Sequence, residues 1–426
     1  MSHADLDAEI LAIGRDLASA FPKASRRPLK ALDDKAMDLA SADADLKAAL
    51  FRFVDVVPAC RNLDDLARHL TGFLSEVEDH PPPIKAAMKM GNSKAGRTAL
   101  GAASAAGVKH MAHRFIVGET PKDALPAFRQ LWKRGILTSV DLLGEATITS
   151  AEAERYAQRC HDALDQLGAA DKDPNLSVKI TALTPLLKPD APERGKQDAA
   201  PRVRALLQHA KEVGAHLHID MESLDTREAV TDLVLELLAE PEFQDGPSAG
   251  VVLQAYLRDA GDLLDTILAG PRREHPLVIR LVKGAYWDHE VVDARQHGWS
   301  VPVFEEKAES DRLFESLTVR LLEARPLVKP AIASHNLRSV SHAIAQNRRL
   351  GAADDEVEFQ VLRGLGDDLQ DALAARGFKV RTYCPVGDLV AGMAYLVRRL
   401  LENTSNESFL LEMQNGADLE RLLAAP

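Results

Sequence analysis

The sequence predicts an α/β protein, a (β/α)8 TIM-like barrel preceded by an all-helical N-terminal arm or domain. Three observations predict it. Eight short apolar or β-branched runs recur between residues 137 and 403. An amphipathic helical stretch follows each run, the pattern of parallel βα units. The span of 267 residues is close to the roughly 250 of such a barrel. A doubly wound open sheet is the competing architecture, but no G-x-G-x-x-G follows any of the runs.

The helical region comes first. Leu6, Ile10, Leu11, Ile13 and Leu17 form a stripe near period 3.6. Similar stripes cover 45–53 and 66–77, and the prolines at 81–83 break the pattern. Residues 84–111, rich in Ala, Lys and Gly, read as one or two further helices. Strand-like runs then follow at 137–143, 176–180, 216–221, 251–255, 277–282, 331–334, 357–362 and 379–384. The helical stretches between and after them are 151–167, 203–213, 225–239, 260–268, 310–324, 340–346, 369–375 and 389–401. The domain boundaries read from this are 1–110 for the helical region, 111–410 for the barrel and 411–426 for a C-terminal tail.

Composition narrows the function. The 426 residues carry 52 Lys and Arg against 64 Asp and Glu, a formal charge of −12. Such a chain lacks the basic excess that nucleic-acid backbones require, so no nucleic-acid partner is expected. At 46% hydrophobic residues it is too apolar for a disordered chain. Its three cysteines, Cys60, Cys160 and Cys384, match no C-x-x-C spacing. With no apolar signal core and no membrane-length run, the expected location is cytoplasmic. There is no G-x-S-x-G, Walker A or H-E-x-x-H motif, so neither a hydrolytic triad nor a metal is expected.

Polar residues cluster where a barrel places its active site, at the C-terminal ends of the strands. Lys179 and Arg280 interrupt apolar runs, and a buried cation needs a partner or a ligand. Asp220 could cap the next helix, but Asp225-Thr226 is better placed for that. Glu145 could open a helix, and His335-Asn336 could be a loop cap. His216 and His218 alternate along a strand and read as packing or as support behind the site. Asp141, Gln254, Lys283, Glu358, Gln360 and Tyr383 also lie at or near strand ends. Arg398-Arg399 sit in the apolar YLVRRLLEN, where two guanidiniums invite a carboxylate or an ion pair with Glu145, Glu402 or Asp220.

Nine ordered motifs carry a resemblance. They are RFIVGET (114–120), LLGEA (142–146), SVKITAL (177–183), HLHIDME (216–222), RLVKGAYWD (280–288), ASHN (333–336), EFQVLRG (358–364), YCPVG (383–387) and AYLVRRLLENTSNESF (394–409). Together they closely resemble the proline dehydrogenase domain of the bacterial proline utilization A flavoenzymes. The helical region resembles that family's arm and α-domain more weakly. The resemblance implies a distorted barrel holding non-covalent FAD and oxidising L-proline to Δ1-pyrroline-5-carboxylate, the first step of proline catabolism to glutamate. It also implies a membrane quinone as electron acceptor, hence peripheral association with a membrane's inner face, and a homo-oligomer.

Residue by residue, the resemblance implies that Arg398, Arg399 and Lys179 bind the proline carboxylate. Tyr383, Leu362 and Tyr286 match the wall around the ring. Glu145 matches an acid that pairs with Arg399 to close the site, and Arg280 matches the residue beside the flavin N5. Asp220, Gln254, Lys283, Gly284, Ala285, Trp287, His335, Asn336, Leu362, Glu402 and Phe409 match flavin-contacting or supporting positions. Two departures are visible. The acidic N-terminus does not resemble the DNA-binding segment that larger members carry. No aldehyde dehydrogenase motif follows Phe409, so the sequence reads as a monofunctional member or as part of a longer chain. A different flavin barrel, of folate-reductase type, and a non-catalytic scaffold are the competing readings.

Overall fold

The structure is a computed structural model that describes residues 3–21, 43–78, 80–144, 146–388, 392, 395 and 418–426. Eight parallel strands close in sequence order, each paired with the next and the last with the first. They are β1 Ile136–Leu142, β2 Asn175–Lys179, β3 His216–Asp220, β4 Ala249–Gln254, β5 Leu277–Val282, β6 Val328–Ala333, β7 Glu358–Leu362 and β8 Lys379–Val386. All eight expected runs are strands, and the open sheet is excluded. β6 begins three residues earlier than expected. Its Pro330, which lacks a ladder N–H, reads as a stop in sequence, yet it holds register with Ile279.

The helices, in chain order, are α1 His3–Ser19, α2 Ala44–Val56, α3 Leu63–Leu74, α4 Pro82–Met90, α5 Lys94–Phe115, α6 Pro121–Trp132, α7 Ser150–Ala170, α8 Pro192–Glu212, α9 Leu224–Leu238, α10 Ala260–Leu268, α11 Trp287–His297, α12 Lys307–Glu323, α13 Leu337–Arg349 and α14 Asp367–Ala375. The expected helix at 389–401 lies outside the described residues. Two of these helices were not expected, nor were the single-turn helices Ile180–Leu183 and Leu419–Leu422. α6 starts at a capping box of Thr120 and Asp123. α11 buries only Glu290, Val291 and Ala294, too few for a legible apolar stripe. α8 begins at Pro192, well before the expected 203, because its polar first half and interior Pro201 obscure the period.

The chain forms two compact units. One comprises Met1–Phe21, Thr120–Val386 and Ala417–Pro426; the other comprises Pro22–Glu119 and Gly387–Gly416. In the first unit, α1 packs with the barrel's outer helices through Arg338–Asp7 at 2.9 Å, Arg349–Glu9 at 2.9 Å and an Arg376–Asp16 pair. In the second, Asp64 of α3 takes the Arg97 guanidinium of α5 at 2.6 Å.

Strand alternation sorts the barrel into two layers. Outward residues such as Val178, Leu217, Ile219, Ile279, Phe359 and Val380 are buried beneath the helices. Each stabilises by about 1.5–3 kcal/mol on burial. The inward positions are largely polar, and they hold the candidate site.

Candidate active site

Register places the inward side chains. Lys179 of β2 lies beside Asp220 of β3, and Leu362 of β7 beside Tyr383 of β8. Two residues deeper, Ser177 lies beside His218, and His218 beside Gly250. A Cβ on Gly250 would fall on the His218 ring and 2.9 Å from the Val278 carbonyl. The imidazole therefore has its space only because β4 carries glycine there.

Arg280 is the hub. It is 4% exposed, and its fork is held on three sides. Nε donates to Gln360 Oε1 at 2.6 Å and Nη1 to Asp220 Oδ1 at 2.6 Å. Nη2 donates to Ser177 Oγ at 3.2 Å and Ser139 Oγ at 3.4 Å. The other oxygen of Asp220 accepts from the Tyr383 hydroxyl at 2.6 Å. The Tyr383 ring lies 5.3 Å from the guanidinium. Burial, with the charges of Asp141 and Asp220, raises the Tyr383 phenol well above its ordinary value. It therefore stays a donor. Charge-assisted bonds of this kind are about twice as strong as neutral ones.

Lys179 is bonded to Asp141, which is 1% exposed. Burial pushes the Lys179 ammonium down, but Asp141, Asp220 and Glu222 together push it further up. It is a permanent cation whose charge is already matched. Glu222 in turn accepts from the Thr181 hydroxyl. At the end of β4, Gln254 donates to the Glu222 carbonyl at 3.2 Å, while its buried Oε1 has no partner among the described residues.

The loops beyond the strands hold the remaining candidates. His335 Nε2 accepts from the Leu362 N–H at 2.9 Å, which places the ring proton on Nδ1. Asn336 caps α13 through Ser339 N–H at 3.1 Å. Lys283 pairs with Asp311, which also binds Lys307 at 2.6 Å. Gly284 has φ +133°, and a Cβ there would strike the Tyr256 ring. Ala285 is exposed and Tyr286 is half-buried. Trp287 donates to the Phe304 carbonyl at 2.8 Å. Glu145, Arg398, Arg399, Glu402 and Phe409 lie outside the described residues.

The cap of α9 differs from the sequence reading. Asp225-Thr226 does not cap α9; Ser223 is the cap residue, and Glu290 of α11 accepts from Leu224 N–H at 2.9 Å. His216 and His218 form a hydrogen-bonded pair at 3.0 Å, with Ser248 Oγ 2.8 Å from His216. Burial and the Arg381 charge hold His216 down to about 3, and burial with Arg280 holds His218 well below its ordinary value. Both are neutral spacers. Among the described residues no cluster could hold a metal.

The arrangement suits a planar, redox-active cofactor such as a flavin. The orphan Gln254 acceptor can take a ring N–H. Gly284 packs its backbone against the Tyr256 ring at the end of β5, and the buried Arg280 would supply a fixed cation for negative charge on a reduced ring. Sequence reasoning noted Asp141 and Gln360 but gave them no role, and it missed Ser139, Ser177 and Thr181. Same-face parity from Lys179 back to Ser177, and from Asp141 back to Ser139, is the signal that finds the two serines.

Comparisons with known proteins identify relatives. The family model described as proline dehydrogenase matches residues 124–412, and that of the proline utilization A N-terminal domain matches 7–115. A bifunctional protein PutA of Klebsiella aerogenes is 33% identical over 74% of this chain and 25% of its own length. The chain thus spans about a quarter of the curated PutA relatives it matches. A proline dehydrogenase of Deinococcus radiodurans is 30% identical over 71% of this chain and 89% of its own. The crystal structure of proline utilization A from Bdellovibrio bacteriovorus inactivated by N-propargylglycine superposes with TM-score 0.89 at 33% identity, covering 100% of this chain and 44% of that one.

Proposed function

The chain belongs to the proline dehydrogenase family, and from that premise we propose that it oxidises L-proline to Δ1-pyrroline-5-carboxylate with non-covalent FAD. This is the first step of proline catabolism to glutamate, with a membrane quinone as final electron acceptor. The observation that carries the reading is the buried Arg280 fork, fixed by Asp220, Gln360, Ser139 and Ser177 beneath Tyr383.

FAD, when bound, supplies the two-electron acceptor that the substrate's C5–N bond requires. Gln254, Lys283, Gly284, Ala285, Trp287, His335, Asn336, Glu402 and Phe409 would hold it. Arg280 offers a cation already oriented before reaction, so no side-chain reorganisation is needed as charge develops. Tyr383, Leu362 and Tyr286 would wall the pyrrolidine ring and exclude water. Arg398 and Arg399 would take the carboxylate, with Lys179 as a third cation and Glu145 closing over Arg399. Such charge-assisted bonds strengthen as water leaves. Cations near the amine lower its pKa, which favours the unprotonated nitrogen that oxidation needs.

No described helix is long and apolar enough to cross a membrane, so delivery to a quinone would use peripheral contact. A homo-oligomer built through the helical region completes the proposal. The test is the visible spectrum of purified protein under anaerobic conditions before and after L-proline. Bleaching of the flavin band is expected; a yellow protein that keeps its band would refute the substrate, and a colourless protein without FAD affinity would refute the cofactor.

A further inference from the structure

Gln360 occupies the inward position between Glu358, deeper in the barrel, and Leu362 at its mouth. Its Oε1 accepts the single Nε–H of Arg280 at 2.6 Å, and its Nε2 donates to Glu358 Oε1 at 2.7 Å. Glu358 is itself clamped. Arg381 reaches its two oxygens at 2.7 Å and 3.1 Å, and Lys379 lies at 3.3 Å. Arg381 is anchored in turn on the Thr138 carbonyl at 2.9 Å and Asp173 at 3.1 Å. Burial alone would raise the Glu358 carboxyl, but the Arg381 charge outweighs it and holds the group ionised.

These ends fix the amide. A guanidinium Nε can only donate and a carboxylate can only accept. Gln360 must therefore turn its oxygen to Arg280 and its NH2 to Glu358. A glutamate of the same length would set two carboxylates against each other. A purely apolar side chain would leave Nε unpaired in a dry site, costing about 1–3 kcal/mol. Of the uncharged side chains at that reach, glutamine alone offers an acceptor at one end and a donor at the other.

We infer that Gln360 is a positioning residue for the reaction: it locks the Arg280 fork while keeping the Glu358 negative charge one side chain away from it. The inference rests on the proposed function, because Arg280 matters as a cation only if a flavin and its developing charge lie against it. Asp220 already sits on Nη1, and a second carboxylate directly on Nε would leave the cluster net negative and stabilise the reduced cofactor less.

The decisive variant is the exchange Gln360→Glu with Glu358→Gln. It preserves composition, and the amide at 358 can donate to the carboxylate at 360 and accept one Arg381 bond, while the second Arg381 bond and the Lys379 ion pair are lost. The negative charge moves one step toward Arg280. The readout is the midpoint potential of bound FAD by dye titration without proline, alongside steady-state proline kinetics. The exchange is expected to bind FAD stoichiometrically and to disfavour the reduced state about tenfold, a drop of about 30 mV for two electrons. kcat should fall while KM for proline stays within about twofold, the pattern of an interaction lost in the transition state.

A potential and kcat equal to the parent's overturn the inference. Should the exchange not fold, Gln360→Met carries the test. A tenfold lower kcat at parental KM supports the inference, and parental kcat sinks it. A parent that binds no flavin or fails to bleach with proline sinks the function reading and this inference with it. A parent that bleaches beside variants that match it sinks this inference alone.

Discussion

Replacing Lys179 by Met should destabilise the barrel severely, and a second replacement should undo most of the damage. The Lys179 side chain is 12% exposed and its partner Asp141 only 1%. Removing the lysine strands the Asp141 carboxylate in a dry interior. Breaking one side of a buried pair typically costs about 3–5 kcal/mol. For a domain of this size 1 kcal/mol shifts Tm by about 2–4 °C, so the expected fall is about 6–20 °C. Lys179→Met with Asp141→Leu removes both charges and leaves apolar groups of similar volume, a change that is often neutral or stabilising. The assay is differential scanning calorimetry of parent, both single variants and the double variant. A Lys179→Met melt within 2 °C of the parent, or a double variant as unstable as the single, would refute the reasoning.

Three further outcomes are expected. Tyr383→Phe takes the donor from one Asp220 oxygen, a bond to a charged acceptor worth about 1.5–3 kcal/mol; kcat/KM for proline should drop about 10- to 100-fold, and unchanged kinetics would remove Tyr383 from the site. Gly284→Ala places a methyl on the Tyr256 ring at a φ of +133°, so the flavin-to-protein absorbance ratio after gel filtration should collapse, whereas full flavin retention would show the cradle is not needed. His216 titrates near 3 when folded against an ordinary 6.5, and His218 is also depressed. The unfolded chain therefore binds protons that the folded chain refuses, and stability, complete above pH 6.5, is lost as pH falls toward 3, by about 1.4 kcal/mol per unit for each histidine. Urea midpoints at pH 7, 6 and 5 measure that slope; His218→Gln should make it shallower, and an identical slope would disprove the assignment.

The barrel was legible because its strands are short apolar runs bounded by turns, and their outward residues pack under helices whatever the inward face carries. What stayed hidden had local causes. Pro330 masks the start of β6, Pro201 masks the first half of α8, and α11 exposes Trp287 and Val292, so its period is faint. At the site, Lys179, Arg280, Asp220 and Tyr383 stood out as polar residues within or ending apolar runs. Ser139 and Ser177 did not, since a small hydroxyl in a strand reads as ordinary filler. Asp141 was visible at a strand end, but its partner is 38 residues away, and only the pairing of β1 with β2 brings the two together.

The polar interior also says what this barrel gives up. Barrels of this kind usually fill their centre with layers of branched apolar residues. Here Asp173, Arg381, Glu358, Gln360, Arg280 and Asp220 form one hydrogen-bonded path. Its charges alternate in sign, with the neutral Gln360 between Glu358 and Arg280. Buried ion pairs of this sort are weak contributors to stability, because desolvation offsets most of their attraction. An apolar core of the same volume would be at least as stable. What such a core could not do is hold a guanidinium, 4% exposed, at a fixed angle under the mouth. Each member fixes the next one's orientation, from the barrel floor up to Arg280 and on through Asp220 to Tyr383. The path is therefore better understood as a mount for one cation than as a stabilising core, and its cost is a reason to look for chemistry at Arg280.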